Sequence, residues 1–453
     1  MKNHSAMKHQ AHSLKKMATT PIIFDMSDPG TGKTFVQIAA FAARRRKRGK
    51  CALVLATKSL LEPAWKADFR KFAPDMKVSV AFARNRAEAF SADADVYVTN
   101  HDAVKDLNKK SPSFWNKFDT IIIDESTAYK HHTSQRSKAV AKLAKNFKYR
   151  SCMTGTPTSN CITDIWHQVF ILDEGARLGK SFFGFRSAAC TPVQVGPSAQ
   201  MIKWVDRDGV DLVVAKLLED ISVRHRFEDC VDIPPNFRHA VMYSLPKKQM
   251  TQYNDMQDFH FLQLKKTGVT AINGAVVYTK LLQIASGAVY GDDGEYSLVD
   301  TGRYEMVMDL VEERAHSVVF FNWTHQRDEL VREATKRGIS FAVFDGSVGD
   351  VARRNIVADY QEGQYQVLLA HPQSAGHGLT LTKGTATIWA SPTYNLEHFL
   401  QGLKRIHRIG QTEKTETIVV VAEGTIDEKV WQVCQDKDAK QGDLLSLLET
   451  EIV

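Results

Sequence analysis

Residues 22–34 read IIFDMSDPGTGKT, and the reading of that stretch decides the fold. Ile22, Ile23 and Phe24 form an apolar run of the length of a short buried strand. Gly30-Thr31-Gly32-Lys33-Thr34 then opens a segment of helical period. Strand, glycine-rich loop and helix in that order are the layout of a phosphate-binding loop. The glycines let successive N–H groups turn toward one anion, and the helix N-terminus adds partial positive charge. Gly30, Thr31 and Gly32 would then line the anion site, Lys33 would reach the β- and γ-phosphates, and the Thr34 hydroxyl would hold Mg²⁺. The general pattern has glycine where Ser27 stands, so this is the looser version of the motif. The bland alternative is an ordinary βα turn.

Outward from this stretch the alternation continues. Cys51–Ala56, Asp95–Asn100, Thr120–Asp124 and Ser151–Thr154 read as strands, and Leu60–Phe72 as a helix. Strands alternating with helices predict an α/β fold with a parallel sheet, whose ligands gather at the C-terminal strand ends. Lys58, Asn100, Asp124, Glu125 and Thr154 all fall there. Phe118–Thr127 (FDTIIIDEST) ends an apolar strand in two adjacent carboxylates. With a phosphate loop upstream, Asp124 suits a Mg²⁺ shell and Glu125 suits orienting and deprotonating an attacking water. Met153–Asn160 (MTGTPTSN) supplies hydroxyls that could link the nucleotide site to a second lobe, although taken alone the stretch is merely a turn.

The regular alternation lapses between residues 172 and 299, which read as helical insertions and a linker, with His239–Leu245 as a strand returning to the first sheet. It resumes with strands at Ser317–Trp323, Ile339–Gly346, Gln366–Ala370 and Ala386–Ser391, without a second phosphate loop. The expected organisation is a first lobe at 1–171, insertions and linker at 172–300, a second lobe at 301–435 and a tail at 436–453. Near the end, Gln401–Gln411 (QGLKRIHRIGQ) reads as one helix with Arg405 and Arg408 three apart on a single face. Two guanidiniums projecting together suit a triphosphate. A basic helix face on nucleic acid or in solvent is the alternative.

Composition fits a globular chain of 453 residues, and the formal net charge of +7 suits a polyanionic partner. No apolar run is long enough to span a bilayer, and the basic N-terminus lacks the apolar core of a secretory signal. Six scattered cysteines without a C-x-x-C pair predict reduced thiols, as in a cytoplasmic protein. Arg44–Arg48 reads as the solvated end of a helix in preference to a nucleic-acid contact. His4, His9 and His12 are too weakly patterned for a metal site. Gln10, on an amphipathic helix, could offer its amide to adenine, although composition alone makes it a surface residue.

Together these residues resemble the superfamily 2 helicase core, and within it the Swi/Snf-like DNA-translocase branch. The carrying segments are SDPGTGKT, LATKSLLEPAW, VTNHDAV, IIIDEST, MTGTPTSN, FFNWTHQ, VFDGS, SAGHGLTL and QGLKRIHRIGQ. RIHRIGQ is the most branch-specific, and AGHGLTL is closer to annealing-helicase-like members than to chromatin remodellers. The resemblance implies two RecA-like parallel-sheet lobes with helical insertions, ATP and Mg²⁺ between them, and double-stranded DNA gripped by its phosphates. It implies that Gln10 contacts adenine, that Lys33 and Thr34 hold phosphates and Mg²⁺, and that Asp124 and Glu125 are the Mg²⁺/water pair. Gln401, Arg405 and Arg408 would complete the site, and Lys58, Asn100, Trp323 and Ser374 match segments that touch the DNA backbone. The sequence departs from the pattern at Asp-Glu-Ser-Thr, usually Asp-Glu-x-His, at Lys404, usually an acid, and at Thr57, usually Pro. The expectation is a minimal DNA-dependent ATPase motor, monomeric and cytoplasmic, without an accessory domain. The alternatives are an RNA-dependent helicase of the same superfamily and a nucleotide-gated binding protein.

Overall fold

The computed structural model describes residues 5–47, 49–195, 201–267, 271–291, 293–375 and 379–449. The chain divides into two compact units. The first comprises Met1–Pro192, Trp204–Asp232 and Ala439–Val453, and the second Val193–Lys203 and Ile233–Asp438.

The first unit is built on strands β1 (Ile22–Asp25), β2 (Cys51–Ala56), β3 (Val78–Ala81), β4 (Val96–Asn100), β5 (Phe118–Asp124), β6 (Tyr149–Met153) and β7 (Ser222–Val223). They form one sheet in the order β3-β4-β2-β5-β6-β1-β7, parallel throughout. Successive side chains of a strand point to opposite faces. Leu53, Leu55, Ile121 and Ile123 accordingly enter one core, while Ala52, Val54 and Ile122 enter another. Both faces are covered, which is why these strands read as continuous apolar runs and not as alternating ones. Each fully buried aliphatic side chain contributes about 1.5–3 kcal/mol.

The second unit repeats the plan with β8 (Asn236–Tyr243), β9 (Ser317–Phe320), β10 (Phe341–Phe344), β11 (Val367–Ala370), β12 (Ala386–Trp389) and β13 (Thr415–Ala422). These strands form a parallel sheet in the order β8-β13-β12-β9-β11-β10. Val319, Leu369, Ile388 and Val420 face one core, and Val318, Leu368, Trp389 and Val419 the other. The α/β fold class, two parallel-sheet lobes with helical insertions, is therefore as expected.

Four expectations change. The strand near His239 does not return to the first sheet. As β8 it is the edge of the second sheet, paired from Asn236↔Thr415 to Tyr243↔Ala422. The strand that does return is β7, only two residues long and too short to show a period. Residues 172–300 are not a separate block, because the two units divide them at Asp232/Ile233 apart from a short stretch, Val193–Lys203, that belongs with the second unit. The terminal segment is not a loose tail, since Leu444, Leu445 and Leu448 are buried in the first unit's core. Finally, Leu60–Phe72 is not a uniform helix. It is a 3₁₀ turn (Lys58–Leu60), a π-helical stretch (Leu61–Lys66) and an α-helix (Ala67–Phe72). Pro63, which has no N–H to donate, lies inside the π stretch.

The arginine cluster after the phosphate loop is a plain helix end. Arg45 pairs with Asp95 at 2.8 Å, Arg46 pairs with Asp75 at 2.7 Å, and Arg44 lies over the Tyr149 ring. Arg48 lies outside the described residues. Among the described residues no helix is long and apolar enough to cross a membrane.

Candidate functional site

β1 delivers the chain into the loop Met26–Gly32, and helix α2 (Lys33–Arg46) leaves it. Gly30 and Gly32 take φ of +94° and +84°, which L side chains rarely adopt. A Cβ on Gly30 would lie 2.8 Å from the Phe227 ring, and one on Gly32 would run into the Gln10 amide. Only glycine fits either place. Ser27 needs no such freedom, because its φ is not positive. Its N–H donates to Asp25 Oδ1 at 3.0 Å and its hydroxyl accepts from the His225 N–H at 3.1 Å. Thr31 closes the turn through its hydroxyl, which donates to the Asp28 carbonyl at 2.9 Å. Lys33 Nζ donates to the Ser27 carbonyl at 2.5 Å and the Asp28 carbonyl at 3.1 Å. Its charge is thus held over the loop, beside the first-turn N–H groups of α2, among them that of Thr34. A cradle closed to any Cβ, with an ammonium and a helix N-terminus at its rim, fits the phosphates of a nucleotide.

Asp124 ends β5, and both Asp124 and Asp25 are in register with Met153 of the strand between them. At the usual spacing this sets the two residues' backbones about 10 Å apart at the C-terminal end of the sheet. Asp124 Oδ2 accepts from Trp65 Nε1 at 2.9 Å. Burial raises its pKa, and the Trp65 hydrogen bond and the nearby Lys33 charge oppose that rise. Asp25 is likewise raised by burial and drawn back mainly by Lys33. Thr34 with one carboxylate and the substrate phosphates is a donor set suited to Mg²⁺, which is seldom caged by protein alone. Among the described residues no cluster of three or more His, Cys, Asp or Glu could hold a metal by itself.

Glu125 has φ +50° and ψ +59°, left-handed backbone at a non-glycine residue. Such strain persists where the surroundings enforce it, and active sites are a usual place for it. The enforcement is visible on the next residue. Ser126, fully buried, donates to Gln168 Oε1 at 2.7 Å. Gln168 Nε2 in turn donates to the Pro157 carbonyl at 2.9 Å. Thr154 N–H donates to the Asp25 carbonyl at 3.0 Å, and Gly155 packs on Pro29 of the phosphate loop. The TGTPTSN turn thereby packs on the phosphate loop and is joined to the acidic strand end through Gln168.

Gln10, on helix α1 (Lys8–Thr19), is buried instead of being a surface residue. Its Nε2 donates to the Thr31 carbonyl at 3.3 Å and its Oε1 accepts from the Met7 N–H at 3.0 Å. An amide has two N–H bonds and two lone pairs, so one of each remains for adenine. Several supporting residues were not foreseen from the sequence. His9 Nε2 binds the same Thr31 carbonyl at 2.8 Å. Ser13 lies 2.9 Å from His225 Nε2, and burial lowers the His225 pKa to about 4, so the ring is neutral near pH 7. Arg224 and Phe227 reach the loop from nearly two hundred residues downstream. No local pattern marks any of them. His4 lies outside the described residues.

Of the residues expected to meet nucleic acid, Lys58 follows β2 and Asn100 ends the neighbouring β4, at the same sheet end. Lys58 is exposed, and Asn100 Oδ1 accepts from Arg86 at 3.3 Å. In the second unit, Trp323 and Ser374 follow neighbouring strands β9 and β11. Trp323 is half-buried beside Tyr290, and the Ser374 carbonyl accepts from Arg353. Gly376–Gly378 of the SAGHGLTL segment lie outside the described residues.

The helix bearing the arginines ends earlier than its spacing predicts, at Ile406. His407 leaves helical backbone at φ −88°, ψ 80°, so Arg405 and Arg408 do not share a helix face. They still converge. Arg405 Nη1 donates to the Leu379 carbonyl at 3.3 Å, and Arg408 Nη1 donates to the same oxygen at 2.7 Å. The turn, not a shared helix face, brings the two guanidiniums to one oxygen. Arg405 Nε also donates to the Gln401 carbonyl at 2.7 Å. Gln401 Nε2 donates to Glu397 at 3.3 Å, while its buried Oε1 meets no donor among the described residues.

Comparison with known proteins matches the SNF2-related domain at residues 5–286 and the helicase conserved C-terminal domain at 302–410. Putative protein p41 of Acyrthosiphon pisum secondary endosymbiont phage 1 is 28% identical over 441 residues, 93% of each chain. The putative ATP-dependent helicase/translocase YwqA of Bacillus subtilis is 26% identical across 90% of this chain and 45% of its own. The Xenopus tropicalis SWI/SNF-related matrix-associated actin-dependent regulator of chromatin subfamily A-like protein 1 is 24% identical across 90% of this chain and 42% of its own. The chain thus spans nearly all of the phage relative and less than half of the other two. The Sulfolobus solfataricus SWI2/SNF2 ATPase core in complex with dsDNA covers 98% of this chain and 93% of that chain, at 22% identity and a TM-score of 0.43. With the SNF2-related domain matching well over half of its length and a helicase conserved C-terminal domain following it, the chain belongs to the SNF2-related family.

Proposed function

We propose that the protein hydrolyses ATP in response to duplex DNA and uses the cycle to translocate along it. The observation that carries this reading is the meeting of Lys33, Asp124 and a strained Glu125 at one end of a parallel sheet. A protein that only bound nucleotide would have little use for Glu125 held in strained backbone. Lys33 exchanges its two carbonyl acceptors for the β- and γ-phosphates, and Gln10 offers its spare N–H and lone pair to adenine. Glu125 orients a water for in-line attack and takes its proton. Mg²⁺, held by Thr34 and Asp124, supplies charge neutralisation at the phosphates when bound. The Arg405/Arg408 pair suits the charge that develops on the γ-phosphoryl group. Lys58, Asn100, Trp323 and Ser374 are assigned to the DNA backbone, which makes binding independent of sequence and dependent on salt.

The test is ATP turnover with duplex DNA, single-stranded DNA or RNA, comparing wild type with Glu125→Gln. Duplex DNA is expected to stimulate most. Glu125→Gln is expected to retain nucleotide binding and to lose turnover by at least about a hundredfold. Stimulation by RNA in preference to DNA, or translocation that survives Glu125→Gln, overturns the proposal.

A further inference from the structure

The phosphate loop is gripped by a segment that the catalytic reading does not use. The ladder between β1 and β7 does not stop at the strand ends. Phe24 N–H donates to the Ile221 carbonyl at 2.9 Å, Met26 N–H to Val223 at 2.8 Å and Asp28 N–H to His225 at 3.0 Å. This every-second-residue pattern is that of a parallel pair, so the first half of the loop is zipped to residues 221–225. Side chains then reinforce it. The buried Arg224 guanidinium donates to the Met26 carbonyl at 2.9 Å and to Asp28 Oδ1 at 2.6 Å. Asp28 Oδ2 accepts the Phe227 N–H at 2.9 Å, and the fully buried Phe227 ring fills the space beneath Gly30.

Two further facts give this grip a consequence. Lys33 donates to the carbonyls of Ser27 and Asp28, the same two residues held by residues 224–227. A displacement of Asp28 therefore displaces the lysine that meets the phosphates. The chain also passes from the first unit to the second at Asp232/Ile233, five residues beyond Phe227. A pull transmitted along the chain through this crossing is met by the Arg224–Phe227 grip before it reaches the phosphate loop.

We propose that Arg224 is a positioning residue, through which the segment entering the second unit sets the geometry of the phosphate loop. Arginine suits the task because Nη1 carries two N–H bonds in the fixed plane of the guanidinium, one for the carbonyl and one for the carboxylate, and its charge persists in a buried site where a lysine readily shifts its pKa. The coupling half of this inference rests on the motor reading, while the loop-positioning half stands on nucleotide binding alone.

The experiment titrates a fluorescent ATP analogue into the full chain without DNA, and measures KM and kcat with and without duplex DNA. The variants are Arg224→Gln, Arg224→Lys, Asp28→Asn and the double Arg224→Gln/Asp28→Asn. The exposed neighbour Arg226→Gln serves as control, and melting temperature is recorded for each. Arg224→Gln and Asp28→Asn are each expected to weaken the analogue roughly tenfold, with the double no worse than either single. Arg224→Lys recovers part of the loss. The ratio of DNA-stimulated to basal turnover should fall in the same variants. Should Arg224→Gln fail to fold, Asp28→Asn alters only a partly exposed carboxylate and carries the test. Unchanged analogue affinity with a lowered melting temperature makes Arg224 structural support only and overturns the proposal. Additive effects in the double variant overturn it as well. A wild-type protein indifferent to DNA would reject the motor reading, yet the binding arm would still decide the role of Arg224.

Discussion

Gly30 is where the loop's geometry can be tested most directly, by replacement with alanine. Two costs can be read from the structure. Backbone at φ +94° disfavours an L residue by about 1–2 kcal/mol. The new Cβ would also lie 2.8 Å and 3.1 Å from two carbons of the Phe227 ring, well inside the ~3.5–4 Å of ordinary contact. Overpacking of this kind costs about 1–3 kcal/mol. Because the loop can relax sooner than the sheet, the protein should stay folded and meet the cost when nucleotide binds. A combined about 2–5 kcal/mol predicts affinity for a fluorescent nucleotide analogue at least roughly thirtyfold weaker than wild type. The double variant Gly30→Ala/Phe227→Leu separates the two costs. It removes most of the clash and none of the backbone strain, so a deficit of about five- to thirtyfold should persist. Wild-type affinity in Gly30→Ala would refute the reasoning. Complete recovery in the double variant would show that backbone conformation at this position does not matter.

Two further outcomes follow from buried charge. Arg303 and Asp427 pair at 2.6 Å with both side chains 1% exposed, and Asp427 also accepts the Ala422 N–H. Asp427→Ala, which strands the guanidinium, is expected to destabilise the second unit by about 3–5 kcal/mol in denaturant unfolding, while Arg303→Met/Asp427→Leu should cost far less. Equal losses in the two would contradict this. His325, hydrogen-bonded to Ser286 and Tyr290, has its pKa lowered to about 4 by burial, with Arg303 adding to the effect and the Ser286 carbonyl and Asp328 opposing it. The unfolded chain then binds the proton more readily, so this contribution is whole above about pH 6.5 and is lost as pH falls toward 4. Urea midpoints should drop across that window in wild type and less so in His325→Gln, which cannot charge. An identical drop in both would assign the effect elsewhere.

Some of this was written locally. The phosphate loop announces itself because backbone bending, a helix N-terminus and a lysine must be adjacent in sequence to act together. Asp124 and Glu125 stand out because a buried strand rarely ends in two carboxylates without a reason. The arginines near residue 405 were marked by composition, although the expected helix stops at Ile406 and they meet through a turn. What the pattern missed lies far apart in the chain. β7 is two residues long, β8 pairs with the second sheet, and Arg224 meets Asp28 across 196 positions.

The sequence alone determined the α/β class, the phosphate cradle and its acidic partner strand, because periodicity, glycine and charge act over a few neighbouring residues. Tertiary structure alone decided which sheet each ambiguous strand joined and how the middle of the chain was divided. It also decided which distant side chains hold the cradle in shape. Those outcomes depend on which surfaces bury each other and which donors find acceptors, and that is settled only when residues nearly two hundred positions apart are brought together.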